Sequence, residues 1–391
     1  MSRRPKPSRI GRFHFDPLLV VVCLSLLLLG YVMVASSSLH LGAKMDGDTF
    51  HYPIRQSLHI GLGLFLGLGV ALTPISFWEK SGQGLFIAGL LLLIIVLVPG
   101  LGVKVNGSTR WLSLGGMRIQ VSEVVKYFAV IYMAGYVTRH QLSLRESAFG
   151  LIKPLILFSV ASVLLLLEPD FGSAVVILII AMGIMFLAGA RLSQFIMLLS
   201  LVAALAALLV YIAPYRMKRV TSFMDPWADP KDTGYQLVHA LISFGRGEWT
   251  GVGLGSGVQK LFYLPEAHTD FLFSVIAEEL GFLGVLTVIA LFALLVWRTF
   301  EIGMAAEKAG ERFSAFIAYG LGIWFGFQSF VNMGVNMGIL PTKGLTLPLM
   351  SYGGGSMMIM CCAVALLFRV HSEVAEINAC QPKERSKWVS A

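Results

Sequence analysis

Charge is scarce in this chain. Only 13% of its 391 residues are Asp, Glu, Lys or Arg, where a soluble domain carries about 25%. That shortage excludes an ordinary soluble enzyme with a solvated surface. Cysteine is scarce too: Cys23, Cys361 and Cys362 sit in apolar runs and Cys380 near the end. Their spacing fits neither a metal site nor a disulfide framework, so they read as packing residues. No cleavable signal peptide is expected, because residues 1–15 are basic and no small-residue site closes the first apolar run. Acidic residues are outnumbered, 22 against 30 Lys plus Arg, for a net charge of +8. In a membrane protein such a balance reports orientation and contact with anionic lipid. No nucleic-acid partner is expected.

What the chain does have is apolar length: 56% hydrophobic residues and a mean hydropathy of +0.77. A membrane helix needs about 20 mostly apolar residues. Seven uncharged runs approach or exceed this, at approximately 17–38, 60–78, 81–103, 171–190, 192–214, 313–341 and 344–368. Three further segments carry charge: 120–138 with Glu123 and Lys126, 147–167 with Lys153, and 270–297 with Glu278 and Glu279. The expected fold is an all-α polytopic membrane protein of ten transmembrane helices. A long periplasmic loop, 214–269, separates spans seven and eight. A basic cytoplasmic tail (1–15) precedes the membrane domain (16–372), and a cytoplasmic tail (373–391) follows it. Seventeen Lys and Arg fall on the side of the N-terminus and six in the short loops opposite. The positive-inside rule therefore puts both termini in the cytoplasm.

A loop as long as 214–269 is expected to be functional. Its "DPWADPKDTG" is turn-rich, and "YQLVHALISFG" reads as an amphipathic helix along the outer interface. "GVGLGSG" follows no strand and starts no soluble helix, so it reads as a glycine hinge and not as a phosphate loop.

Ionisable groups at membrane depth are costly and mark function. Glu123 and Lys126 are three apart and share a helical face; a local ion pair that eases burial is the plainer alternative. "LLLLEPDFGSA" puts Glu168 and Asp170 in a tight turn that Pro169 stops. "LPEAHTDFLF" brings His268 and Asp270 to the outer start of span eight, where a simple helix cap would also account for Asp270. Glu278 and Glu279 lie about 12–13 Å further along the helix. There they are expected to pair inside the bundle, a quarter to a half of the way into the bilayer, with a basic group of another span. In "NMGVNMGILPTKGLTLPLMSYGGGS", Pro341, Pro348 and glycines break the helix near Lys343 and Ser351. Broken backbone at membrane depth lines cavities. An outward-facing polar cavity follows, built from Arg110, Glu123, Lys126, Glu168, Asp170, His268, Asp270, Lys343 and Ser351.

These stretches resemble the SEDS family (shape, elongation, division and sporulation). The matching segments are "NGSTRWLSLGGMRIQVSEVVK", "EPDFGSA", "DTGYQLVHALISFGRGEWTGVGLGSGVQK", "YLPEAHTDFLFSVIAEELG" and "GLTLPLMSYGGGS". The resemblance runs from about residue 16 to about 372. Two positions depart from the family pattern: Val121 replaces a proline before Ser-Glu, and Gly355 replaces the first serine of the late glycine motif. Neither removes an ionisable group. The resemblance implies a peptidoglycan glycosyltransferase that polymerises lipid II on the outer face of the bacterial inner membrane. Its wording favours septal synthesis in cell division over elongation. Implied partners are a class B penicillin-binding protein and other membrane proteins of the division machinery.

The family's essential aspartate corresponds to Asp270, which would act as general base on the acceptor hydroxyl. Diphosphate leaves well once its charge is offset, so no second catalytic carboxylate is required, unlike in glycosidases. Arg110, Lys126, Arg216, Lys218, Arg219 and Lys343 are candidate cations for that task. Among "YRMKR" the basic residues equally suit an interfacial anchor. No cofactor is certain, and a divalent cation, Mg or Mn, is the single candidate. Two rival readings are a lipid II flippase, kept open by Glu278 and Glu279, and a non-catalytic scaffold.

Overall fold

The computed structural model describes residues 13–45, 47–105, 108–114, 117–146, 148–342 and 344–380. Most of the basic tail, part of the C-terminal tail and Lys343 lie outside the described residues. Apolar chain in lipid must satisfy its own backbone polar groups, and helices do so. The described helices are α1 (Pro17–Met45), α2 (His51–Leu72), α3 (Ile75–Leu97), α4 (Val121–Arg139), α5 (Gln141–Glu146), α6 (Ala148–Leu167), α7 (Phe171–Leu187), α8 (Leu192–Ile212), α9 (Pro214–Met224), α10 (Tyr235–Gly247), α11 (Leu272–Lys308), α12 (Arg312–Asn336) and α13 (Gly354–Cys380). Eight of them are long and apolar enough to cross a membrane. α7 is apolar but shorter, and α4, which carries Glu123 and Lys126, falls outside that group.

Contacts between helix ends define two faces. On one, Asp16 ahead of α1 pairs with Arg298 of α11 at 2.6 Å. Beside it the His14 amide donates to Ser372 of α13, and the Ile75 amide donates to Glu373. Both described ends of the chain lie on this face. The opposite face carries everything irregular. There, three strands, β1 (Gly102–Val105), β2 (Ser108–Leu114) and β3 (Met117–Gln120), form an antiparallel sheet in the order β1-β2-β3. The sheet is a small addition to the expected helical membrane fold. Residues 102 and 103 close an apolar run in the sequence, yet the β-branched and aromatic residues of the three strands favour extended backbone that pairs with its neighbours.

Other boundaries move as well. α2 begins at His51 and not near 60, because the polar residues of its first turns face a cavity and not lipid. α13 begins at Gly354 and not near 344, because the chain from 337 to 353 is held open. Gly338 and Leu349 there have left-handed backbone, and two prolines interrupt it. The loop 214–269 contains α9 and α10. α11 is in fact two helices, 272–280 and 282–308, broken at Gly281 (φ 67°, ψ −161°). A Cβ at Gly281 would lie 2.3 Å from the Gly251 nitrogen, so glycine is required by both conformation and space. The first piece lies across the bundle. Ser274 bonds Asn336 at the end of α12, and Glu279 bonds Ser36 near the end of α1.

Lipid tails are as apolar as leucine, so membrane helices associate through close packing at small residues. α2 meets α13 through Gly63 and Gly67, where added Cβ atoms would lie 3.0 Å from the Cys361 sulfur and 3.2 Å from the Cys361 carbonyl oxygen. α4 is enclosed along most of its length, and α8 has no buried residue among its described side chains. Replacement of Gly63 by Val is expected to destabilise the protein by about 1–3 kcal/mol through overpacking. Gly61→Ala, with nothing within 4 Å of the new methyl, should be neutral. Thermal unfolding in detergent measures both.

Candidate active site

A cavity of about 1340 Å³ opens on the irregular face. Its walls are the sheet, the first turns of α2, the turn between α6 and α7, the loop ahead of α11, and the segment joining α12 to α13. Most of these walls are places where a helix stops, as expected for non-helical backbone at membrane depth, and α9 adds Arg219 and Val220.

Asp270 stands two residues before α11 and lines the cavity, partly exposed. Its carboxylate makes no hydrogen bond among the described residues. Gly344 passes so close that a Cβ there would lie 2.8 Å from Asp270 Oδ2. Burial pushes the Asp270 carboxyl up to about 7; Glu266 and Asp170 push the same way and Arg110 opposes them. His268 lines the same wall, with its ring 5.1 Å from Tyr52 and 5.4 Å from Tyr352. Burial depresses its basicity, against the pull of Glu266.

Asp170 also lines the cavity. It caps α7 by accepting from the Ser173 amide at 3.2 Å, and Gln120 of β3 approaches its other oxygen at 3.4 Å. Arg110 on β2 lines the cavity as well; it donates to the Glu168 carbonyl at 3.1 Å and to the Pro169 carbonyl, strapping the α6–α7 turn to the sheet. Glu168 is buried behind that turn, and neither carboxyl oxygen has a hydrogen-bond partner. Burial, helped by Asp170 and opposed by Arg110, raises it to about 8. It does not line the cavity.

Glu123 reaches the cavity from α4, but Lys126 does not. The Lys126 ammonium, 0% exposed, bonds Glu123 at 2.7 Å and Gln328 of α12 at 2.9 Å, over the face of Trp324. Gln328 in turn donates to the Thr346 carbonyl at 2.9 Å, and Thr346 lines the cavity. The pair therefore ties α4 and α12 to the cavity floor. Ser351 is buried away from the cavity and accepts from the Leu347 amide at 2.9 Å, closing a turn. Of the remaining candidate cations, Arg219 lines the cavity and Lys218 is exposed on α9. The Arg216 side chain, like Lys343, lies outside the described residues.

Glu278 and Glu279 are not a quarter to a half of the way through the bundle. Seventeen residues, about 26 Å of helix, separate Gly281 from Arg298 on the opposite face. The two carboxylates thus sit at the boundary of the irregular face. Nor are their partners basic groups of another span. Glu279 accepts from Lys260 at 2.5 Å, from Ser36 at 2.7 Å and from the Gly255 amide at 3.1 Å. Glu278 accepts from the Val258 and Gln259 amides, with Arg246 at 3.6 Å. "GVGLGSG" is folded onto these two carboxylates. As a hinge it would be open.

Glu266, in the loop that leads into the site, lines the cavity as expected, with left-handed backbone (φ 56°). Tyr52, Arg55, His59, Arg118 and Tyr352 line it too without having been singled out by the sequence. The spacing of Tyr52, Arg55 and His59 along one side of a helix is a usable signal, masked because charge places them ahead of the apolar run. Among the described residues no three His, Cys, Asp or Glu side chains stand together as metal ligands. A protein-built cage for a divalent cation therefore does not fit.

The chain matches the family model described as "Cell cycle protein" (FtsW, RodA and SpoVE) over residues 17–376. It is 66% identical to the probable peptidoglycan glycosyltransferase FtsW of Methylomonas methanica, covering 98% of this chain and 99% of that protein. It is 60% identical to the protein of the same name from Methylococcus capsulatus, covering 93% and 91%. Among solved structures it resembles a chain from work on a peptidoglycan synthase complex that coordinates polymerization and crosslinking. The TM-score there is 0.76 at 30% identity, over 92% of this chain and 98% of that one. The rod shape determining protein RodA of Thermus thermophilus gives 0.68 at 27% identity, over 92% and 97%.

The Glu279–Lys260 pair generates a prediction of its own. Removing one partner of a buried ion pair costs about 3–5 kcal/mol, whereas replacing both together is often near neutral. Lys260→Met should therefore lower stability by about that much, and Lys260→Met with Glu279→Gln should recover part of the loss. Thermal unfolding of the single and double variants measures the coupling.

Proposed function

The chain belongs to the FtsW/RodA/SpoVE family of cell cycle proteins, and we propose that it is a peptidoglycan glycosyltransferase that polymerises lipid II. The observation that carries this reading is Asp270: a carboxylate without hydrogen-bond partners among the described residues, on the wall of a large cavity, raised to about 7 by burial. A general base works best when its pKa lies near the working pH. The acceptor sugar hydroxyl gives its proton to Asp270 as its oxygen bonds the donor's anomeric carbon. The bond from that carbon to the diphosphate oxygen breaks, and the electron pair leaves with the lipid-linked diphosphate. Arg55, Arg118 and Arg219 line the same cavity. With Arg110 on the same lining, they are the cations that face the departing charge. A Mg or Mn ion, the one cofactor candidate, would have to arrive on the diphosphate, and no step is routed through it.

The finer setting belongs to the same proposal. Ten helices cross the bacterial inner membrane, the termini are cytoplasmic, and the cavity faces the periplasm at the division septum. The partners are a class B penicillin-binding protein, which crosslinks the new strand, and other membrane proteins of the division machinery. The likeness to a chain of a peptidoglycan synthase complex supports this. The flippase reading loses its support, because Glu278 and Glu279 are fully engaged away from mid-depth.

Purified protein with its partner and lipid II in detergent should form glycan strands. The Asp270 carboxylate is the active form, so the rate should rise with pH through a limb near 7. Asp270→Asn should fold, bind the partner and make no polymer. Normal polymer from that variant would remove Asp270 from the mechanism.

A further inference from the structure

An amide side chain stands where a helical hydrogen bond belongs. In a continuous helix the carbonyl of residue 270 would accept from the amide of residue 274. Here the Ser274 amide is shared between the Phe271 carbonyl and Asn336 Oδ1, each at 3.1 Å, and the Ser274 hydroxyl donates to the same Asn336 oxygen at 2.7 Å. Asn336 Nδ2 donates to the Asp270 carbonyl at 3.0 Å. The Asn336 amide accepts and donates as a peptide group would, and it fills the gap of one helical rung. A side chain inserted in this way ends the regular ladder.

Asn332, one turn earlier on α12, donates to the same Asp270 carbonyl at 2.9 Å and to the Leu345 carbonyl at 2.6 Å. Leu345 follows Gly344, the residue pressed against the Asp270 carboxylate. Two adjacent asparagines thus tie down both pieces of backbone that flank the carboxylate. Both are buried, at 1% and 0% exposure. Amides so buried are costly unless satisfied, and these two are satisfied by the backbone around Asp270.

We propose that Asn336 and Asn332 are the positioning residues of Asp270: they hold it out of α11 and fix its carboxylate at the cavity wall without touching substrate. This inference rests on the reading of Asp270 as general base. Without Asn336, the Asp270 carbonyl and the Ser274 amide can bond each other directly. Asp270 then joins the helix and its side chain swings away from the cavity. The groups that face the carboxylate are Glu266 from its own loop, Arg110 from β2 and Asp170 from the start of α7. A carboxylate freed from its burial titrates lower.

The test uses the full chain in detergent with its partner and lipid II, on Asn336→Leu, Asn332→Ala and Ser274→Ala. Asn336→Leu is expected to lower kcat tenfold or more, hold KM within twofold and move the acid limb of the pH–rate profile to lower pH. Asn332→Ala should act in the same direction. Ser274→Ala, which leaves Asn336 its bond from the Ser274 amide, should show a smaller effect of the same kind. Thermal unfolding accompanies each variant. Folded variants with unchanged kcat and an unmoved limb would overturn the inference, as would losses that track stability and raise KM with the limb in place. If Asn336→Leu does not fold, Asn332→Ala and Ser274→Ala decide by the same criteria. Asp270→Asn is run beside them. An active Asp270→Asn overturns the base, whereas an inactive one beside asparagine variants of wild-type profile overturns the positioning alone.

Discussion

The irregular face depends on one arrangement: two carboxylates at the end of a short crosswise helix, each saturated by donors from a single loop. Glu279 holds Lys260, Ser36 and the Gly255 amide, and Glu278 holds the amides of Val258 and Gln259. A buried carboxylate is tolerated only when its lone pairs are met, and here nearly every donor comes from residues 246–260. The loop and the crosswise helix are therefore one body. Asp270 leads into that body, and the asparagines of α12 fasten its other end. The geometry of the cavity wall follows from these two attachments.

Charged side chains on this face divide into those that build and those that remain available. Lys126 is consumed by the fold, knitting α4 to α12, whereas Arg110 straps a turn to the sheet and still lines the cavity. Asp270, Arg55, Arg118 and Arg219 still face open space. Residue type alone does not make this division, since an arginine bound to carbonyls and an arginine facing a cavity are the same letter. Hydrogen-bond partners decide it.

That distinction explains what was legible in the chain. Apolar runs located the helices, because length and hydropathy are local properties, and they failed where a helix is polar on its cavity side, as at His51 to His59. The sheet escaped because its residues border an apolar run and its pairing is set by turns. Asp270 and Asp170 were legible as costly groups beside helix breaks. Lys126 and Ser351 were equally conspicuous and stand away from the cavity, because their partners lie 202 positions and four positions away respectively and no local pattern separates the two cases. Asn332 and Asn336 drew no attention at all, since neutral amides in an apolar run carry no charge to flag them.

The break at Gly281 has a mechanical consequence. A helix that follows the thickness of its bilayer does so by tilting, and a rigid continuation would pass that tilt to whatever it carries. Here the piece that spans ends at a residue with no helical geometry, and the piece next to Asp270 is fastened to α1 and α12 instead. The first amides of the long piece, Phe282 and Leu283, bond the Glu248 and Trp249 carbonyls, so any lean of the long helix reaches the cavity wall through the loop and not along a continuous helix.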